Sequence, residues 1–297
     1  MKTFYSNGKL LLTGEYVVLD GAKALAIPTK KGQSLKVDTS EKNGIHWKSL
    51  DEKGTVWFEA TFSLDTSISE KEDKVLFQLI QILKEAQKLN PSFLAEENYK
   101  VTTILDFPRN WGLGTSSTLI NNIAQWAEVD AFKLLQNSFG GSGYDIAAAQ
   151  NSIPIIYQLK NGNPKVEPVK LNWDFTESLF FVHLNQKQDS KEGIAHYKKE
   201  KVSATVISEI SFITEKLISC KTLKEFEALL NQHEELISLS IGLPTVKEQL
   251  FSDYPKAIKS LGAWGGDFVL AAGNQRDRSY FRKKGFTTIV LYRDMIQ

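Results

Sequence analysis

Pro108-Arg109-Asn110-Trp111-Gly112-Leu113-Gly114-Thr115-Ser116-Ser117-Thr118 is the stretch on which the reading of this chain turns. Upstream of it, Tyr99 to Phe107 reads as a strand. Downstream, Leu119, Ile120, Ile123, Ala124 and Ala127 recur on one face of a helix. Glycines between a strand and a helix let the backbone approach a ligand closely. The first N–H groups of the helix have no intrahelical partner, and with the helix dipole they make an anion site suited to phosphate. Ser116 and Ser117 add hydroxyls able to bind oxygen or Mg²⁺. The same residues would equally serve a plain N-capped helix after a tight turn, and this segment alone does not decide between the two.

Working outward, the period of the apolar residues changes along the chain. Ser34 to Asp38, Ile45 to Trp47 and Thr55 to Glu59 alternate as strands do, with Gly44 and Gly54 as turn signals, so a meander is expected in the first third. From Asp73 the stripe Val75, Leu76, Leu79, Ile80, Leu83 and Ala86 predicts a helix that Asn90-Pro91 ends. A strand is expected at Ile153 to Leu159, a turn at Asn161 to Pro164 and a buried strand at Leu179 to Leu184. Two long helices follow, carrying Val202 to Leu217 and Leu223 to Ile237, and the end reads as two strands around a short helix. This order predicts an α+β fold, with a domain boundary near Asn172 that divides the chain into 1–172 and 173–297.

The chain has 297 residues, enough for one large domain or two ordinary ones, and an ordinary globular composition of 42% hydrophobic and 24% charged residues. Lys plus Arg is 36 against 35 for Asp plus Glu, a formal net charge of +1. That argues against broad nucleic-acid binding, which wants a basic footprint, while leaving room for a local basic pocket. Cys220 is the lone cysteine, so neither an internal disulfide nor a CxxC metal site is available. No apolar run approaches 18 residues, and Met1 to Ser6 lacks the apolar core of a signal peptide. A cytoplasmic protein with a small-molecule substrate, no nucleic-acid or membrane partner, and a monomeric or homodimeric state is the expectation.

Several chemistries are absent from the sequence. There is no GxxxxGK[ST], no GxGxxG, no HRD segment to go with Asp267-Phe268-Val269, and no HExxH or His/Cys cluster. Three further glycine-bearing segments remain. They are Gly8-Lys9 with Gly14-Glu15-Tyr16, then Gly141-Ser142-Gly143-Tyr144-Asp145, and then Gly262-Ala263-Trp264-Gly265-Gly266-Asp267. In this order, with the phosphate-loop segment between the first and second, they resemble the GHMP kinase superfamily, which includes galactokinase, homoserine kinase, mevalonate kinase and phosphomevalonate kinase. The resemblance runs from Gly8 to about Asp267. Within the mevalonate and phosphomevalonate kinase branch, the Gly-Ser-Gly-aromatic-Asp run, Gly14-Glu15-Tyr16 and Gly265-Gly266-Asp267 lean toward phosphomevalonate kinases, since mevalonate kinases more often show Gly-Glu-His and a cysteine there.

The resemblance implies a two-domain GHMP kinase fold, with a ribosomal-S5-like N-terminal domain that binds ATP and a ferredoxin-like C-terminal domain. It implies transfer of the γ-phosphoryl group of ATP, with Mg²⁺, to mevalonate or phosphomevalonate. Another acceptor such as homoserine or a sugar, or a silent nucleotide-binding paralogue, is the alternative. Asp145 matches the catalytic base and Lys9 the lysine that pairs with it; a carboxylate beside an ammonium stays ionised at neutral pH. Gly112, Leu113, Gly114, Thr115, Ser116 and Ser117 match the ATP phosphate loop, with Ser116 also touching Mg²⁺. The acid that completes the metal site in mevalonate kinases has no counterpart between Asp130 and Asp145. Substrate contacts are expected from Glu15, Ser142, Tyr144, Asn185, Lys187, Gly262, Trp264 and Gly265. Trp264 stands where related enzymes carry glycine, and is expected to form a wall over the acceptor or the nucleotide; the alternative is a packed core indole.

Overall fold

Strands and helices form where the apolar period dictates, and their pairing sorts them into two units. The computed structural model describes residues 1–95, 98–186, 194, 197, 202–262 and 264–297. One compact unit comprises Met1–Gly8, Lys31–Arg109 and Leu113–Gln150. The other comprises Lys9–Lys30, Asn110–Gly112 and Asn151–Gln297. The units interleave along the chain, whereas the sequence suggested a single division near Asn172. Two long strands, β1 (Lys2–Leu11) and β2 (Ala24–Thr39), contribute residues to both.

In the first unit the later half of β2 lies beside β5 (Tyr99–Leu105), antiparallel, with Leu35 opposite Thr103. On the far side of β5 lies β3 (Ile45–Leu50), parallel to it, with Trp47 opposite Val101. β3 pairs antiparallel with β4 (Val56–Phe62). The expected meander therefore holds only for the β3–β4 hairpin. Between β4 and β5 the chain forms α1 (Lys74–Leu89), and a helical crossover of this kind is what lets β5 return parallel to β3. The Asp73 carboxylate starts α1 by accepting from the N–H groups of Val75 and Leu76. Leu79, Ile80, Leu83 and Ala86 are buried in the core, while Val75 points outward.

Behind this sheet lie α2 (Thr115–Ala127), α3 (Ala131–Ser138) and α4 (Tyr144–Ala149), with α2 against both α3 and α4. The apolar stripe of α2 was legible, but the helix is buried on a polar side too. Asn121 Nδ2 donates to Ser6 Oγ (2.8 Å), Ser6 Oγ to Asn122 Oδ1 (2.8 Å), and Asn122 Nδ2 to the Gln33 carbonyl (2.9 Å). Paired in this way, buried amides do not carry the cost of lost water contacts.

In the second unit β6 (Ile155–Lys160) pairs with the first residues of β2 and with β7 (Asn163–Pro168). Asn161 (φ 52°) and Gly162 (φ 77°) make the two-residue turn of that hairpin, both with the positive φ it demands. A second, antiparallel sheet has the order β11-β8-β10-β9, built from β8 (Leu179–His183), β9 (Ile258–Ser260), β10 (Phe268–Ala272) and β11 (Ile289–Leu291). The short strands β7 and β9 were not anticipated. α5 (Ala204–Ser219) and α6 (Leu223–Ile241) pack on each other, and α7 (Val246–Leu250), α8 (Gln275–Lys283) and α9 (Tyr292–Met295) complete the unit. Phe180, Val182, Phe251, Val269 and Phe281 are among the buried residues of its core. Among the described residues no helix is long and apolar enough to cross a membrane.

Candidate functional site

The glycine-rich loop between β5 and α2 is the natural starting point. Gly114, at φ 91°, is the N-cap of α2, and no side chain caps the helix. The first turn thus keeps its outward N–H groups for a ligand. The hydroxyls divide by direction. Ser117 is buried and its Oγ donates to the Gly114 carbonyl at 2.9 Å, whereas Ser116 is exposed and Thr115 half-buried. Leu113, also expected at the phosphate, is fully buried. From the same loop, the Arg109 guanidinium lies over the Trp57 indole, 3.8 Å from its centroid.

α4, which packs on α2, begins in the same way. Gly143 (φ 88°) is its N-cap, again without a side-chain cap. Asp145 lies in its first turn, half-buried, with Oδ1 accepting from the Ile146 N–H at 3.1 Å. Tyr144 is half-buried beside it, and Ser142 is buried.

In the second unit, the Lys9 ammonium donates to the Gly112 carbonyl at 3.1 Å, which sets this lysine against the glycine loop. Gly112 has φ 64°, and the space a Cβ would fill there is taken by the Asp267 carboxylate, 2.1 Å away. Asp267 itself has φ 55° and donates its N–H to the Gln186 carbonyl. The sequence offered Asp267 only as the last letter of a motif; its place over Gly112 comes from the turn after Gly265-Gly266. His183, read from the sequence as a strand residue, also serves this loop. Its Nδ1 accepts from the Asn185 N–H (3.2 Å), which leaves Nε2 to donate to the Asn110 carbonyl (3.0 Å).

The remaining expected residues sit as follows. Asn185 is exposed at the end of β8, and its amide donates to the Gly285 carbonyl. Gly262 (φ 67°) and Gly265 (φ 89°) have open space where a Cβ would stand. Lys187 lies outside the described residues. Trp264, expected as a wall over a ligand, is 4% exposed and belongs to an apolar cluster with Tyr16, Val17, Ile210, Ile237 and Ile241. Its Nε1 donates to the Pro244 carbonyl (2.9 Å) and its backbone N–H to the Tyr16 hydroxyl (3.0 Å).

Glu15, expected at the substrate, has a side chain with no exposed surface. Its Oε1 lies 2.5 Å from Lys259 Nζ, and the same ammonium lies 3.0 Å from Glu234 Oε1. Burial raises the Glu15 carboxyl to about 7, against the lowering effect of Lys259. Burial also raises Glu234. The Lys259 ammonium would be pushed down by burial, but the two carboxylates hold it above its ordinary value. His233 is buried alongside, and its Nε2 accepts from the Gly14 N–H at 3.0 Å, so its proton is on Nδ1. Burial first, and Lys259 second, hold it well below the usual imidazole range. The 3.5 Å approach of Nε2 to Glu15 Oε2 is therefore not an ion pair.

Solved structures share this arrangement of elements. Phosphomevalonate kinase from Streptococcus pneumoniae, in complex with phosphomevalonate and AMPPNP, is similar over 97% of this chain and 99% of its own, with a TM-score of 0.71 and 14% identity. The chain has the GHMP kinase fold. Mevalonate kinase from Methanococcus jannaschii shares that fold over 95% of this chain and 94% of its own (TM-score 0.70, 14% identity). So does Lactococcus lactis galactokinase complexed with galactose, over 95% and 88% (TM-score 0.65, 14% identity). No family model matches the sequence, and no curated protein matches it either. The order of the four glycine-bearing motifs and the arrangement of elements thus agree on the GHMP fold at 14% identity.

Proposed function

We propose that the chain is an ATP-dependent small-molecule kinase that phosphorylates mevalonate or phosphomevalonate. The observation that carries this reading is the uncapped N-terminus of α2, opened by Gly114 in a left-handed conformation, with the exposed Ser116 hydroxyl in its first turn. Such a terminus suits the phosphates of a nucleotide. Phosphoryl transfer asks a protein mainly for positioning and charge stabilisation. Lys9, against Gly112, supplies a positive charge at the loop. Asp145 orients the acceptor hydroxyl and takes its proton.

Mg²⁺ neutralises charge on the phosphates when bound. Ser116 Oγ is the ligand this chain would offer it, with phosphate oxygens and water completing the shell, as this ion prefers. Among the described residues no three His, Cys, Asp or Glu side chains gather as a metal site, which fits an ion held largely by the nucleotide.

The test is ADP release with mevalonate, phosphomevalonate, galactose and homoserine as acceptors. Turnover with one of the first two supports the reading, and turnover only with galactose or homoserine replaces its acceptor. Nucleotide binding without turnover on any of them overturns it. Asp145→Asn then separates the two favoured acceptors. An alcohol must lose a proton during transfer, whereas a phosphate oxygen is already largely ionised at pH 7. The loss is expected to be about 10²–10⁴-fold for an alcohol and smaller for a phosphate.

A further inference from the structure

The Gly14-Glu15-Tyr16 turn is held from several directions at once. The Gly14 N–H donates to His233 on α6, the Glu15 carboxylate meets Lys259 on β9, and the Tyr16 hydroxyl accepts the Trp264 N–H. Lys259 stands at the centre of this set. Its side chain is wholly buried, and its ammonium spans Glu15, Glu234 and the Ser260 carbonyl, the last at 2.5 Å. The Ser260 hydroxyl donates to the second oxygen of Glu234 at 2.8 Å. A buried ammonium with three oxygen partners is geometrically fixed, since releasing either carboxylate leaves an uncompensated charge in a dry interior. In sequence, Trp264 lies four residues beyond Ser260, the last residue of β9. The ion cluster and the Tyr16–Trp264 hydrogen bond therefore fasten the same two segments at two points.

We infer that Lys259 is a positioning residue, that Glu15 is its anchor rather than a substrate ligand, and that together they lock the Gly14–Tyr16 turn to the Gly262–Asp267 loop. Asp267, at the end of that loop, lies on Gly112, and Lys9 precedes the turn on β1 and donates to the same residue. Through this lock both groups are held in register with Gly112. The lock stands on the geometry alone. Its effect on turnover rests on the kinase reading proposed above, because only that reading gives Lys9 and the loop a reaction to position.

The experiment compares Lys259→Met and Glu15→Gln with the wild-type protein by amide hydrogen exchange. Gly14 and Trp264 amides are expected to exchange at least roughly ten-fold faster in both variants. The β10 amides of Val269 and Ala271 should keep their protection. Should Lys259→Met, which strands two carboxylates, not fold, Glu15→Gln leaves the Lys259–Glu234 pair intact and carries the same readout. Unchanged protection at Gly14 and Trp264, or a loss spread equally over β10, overturns the lock.

If the wild-type protein turns over an acceptor, kcat in the variants is expected to fall by up to about 10²-fold, as misplaced groups cause, with the KM for ATP nearly unchanged. A rise in acceptor KM at constant kcat would instead make Glu15 a substrate ligand and overturn the inference. If the wild-type protein turns over nothing, the kinase reading fails, and hydrogen exchange still decides the lock.

Discussion

Gly112 shows how tightly single residues are specified around the glycine loop. Its φ of 64° lies where side chains are disfavoured, and a methyl group there would stand 2.1 Å from Asp267 Oδ2. Gly112→Ala must therefore strain the backbone, which costs about 1–3 kcal/mol, and push the Asp267 carboxylate off the loop. A lower melting temperature together with weaker ATP binding by calorimetry is expected; unaltered values for both would mean that the loop adapts freely. Asp145→Asn is the complementary change. Asparagine keeps an oxygen for the Ile146 N–H, so the fold should be untouched while turnover of an alcohol falls by about 10²–10⁴-fold. Circular dichroism and ADP release on the same sample read both quantities. The sequence singles out Asp145, Lys9 and Ser116 because they lie inside short motifs. Glu15 shows the limit. Its partner Lys259 lies 244 positions away, and no local pattern announces that a motif glutamate is buried against a lysine so distant in sequence.

At the scale of elements, legibility followed locality. α1 was readable from its stripe and its Asp73 cap, and α2 from its apolar face, because both signals lie within a few turns. The meander failed because alternation identifies strands and says nothing about neighbours, and the crossover through α1 seats β5 between β2 and β3. Strands of three residues such as β9 carry no period at all. Trp264 belongs to this scale because it joins the Gly262–Asp267 loop to the chain just beyond α6. Its indole fills the apolar niche of Tyr16, Ile210, Ile237 and Ile241 and reaches the Pro244 carbonyl. Trp264→Ala is expected to cost about 3–5 kcal/mol, as truncating a core aromatic does, seen as a large fall in melting temperature. A variant of wild-type stability with altered KM values would return the indole to the surface of a ligand site.

For the whole molecule, the buried cluster sets a pH dependence whose sign can be worked out. The folded protein holds the Glu15 carboxyl at about 7, against 4.5 for a free glutamate. Between those values the native state keeps a proton that the unfolded chain has lost, so stability falls as pH rises, by on the order of 3 kcal/mol across the window. Glu234, raised by its burial, acts in the same direction. His233 acts in the opposite one. Burial holds it well below 6.5 in the folded protein, so below that pH the unfolded chain binds a proton the native state refuses, and stability rises with pH. From about pH 4.5 to 6.5 the histidine slope opposes the carboxyl slopes and offsets part of them. Above 6.5 the histidine contribution is complete while the carboxyl contribution is not, so stability declines toward the Glu15 value. Glu15→Gln removes one side of this balance. The difference in unfolding free energy between wild type and Glu15→Gln, followed by urea titration from pH 4.5 to 7.5, should move steadily against the wild type as pH rises. A difference that is constant with pH would mean that Glu15 is ionised throughout, and that Lys259 outweighs the cost of burying it.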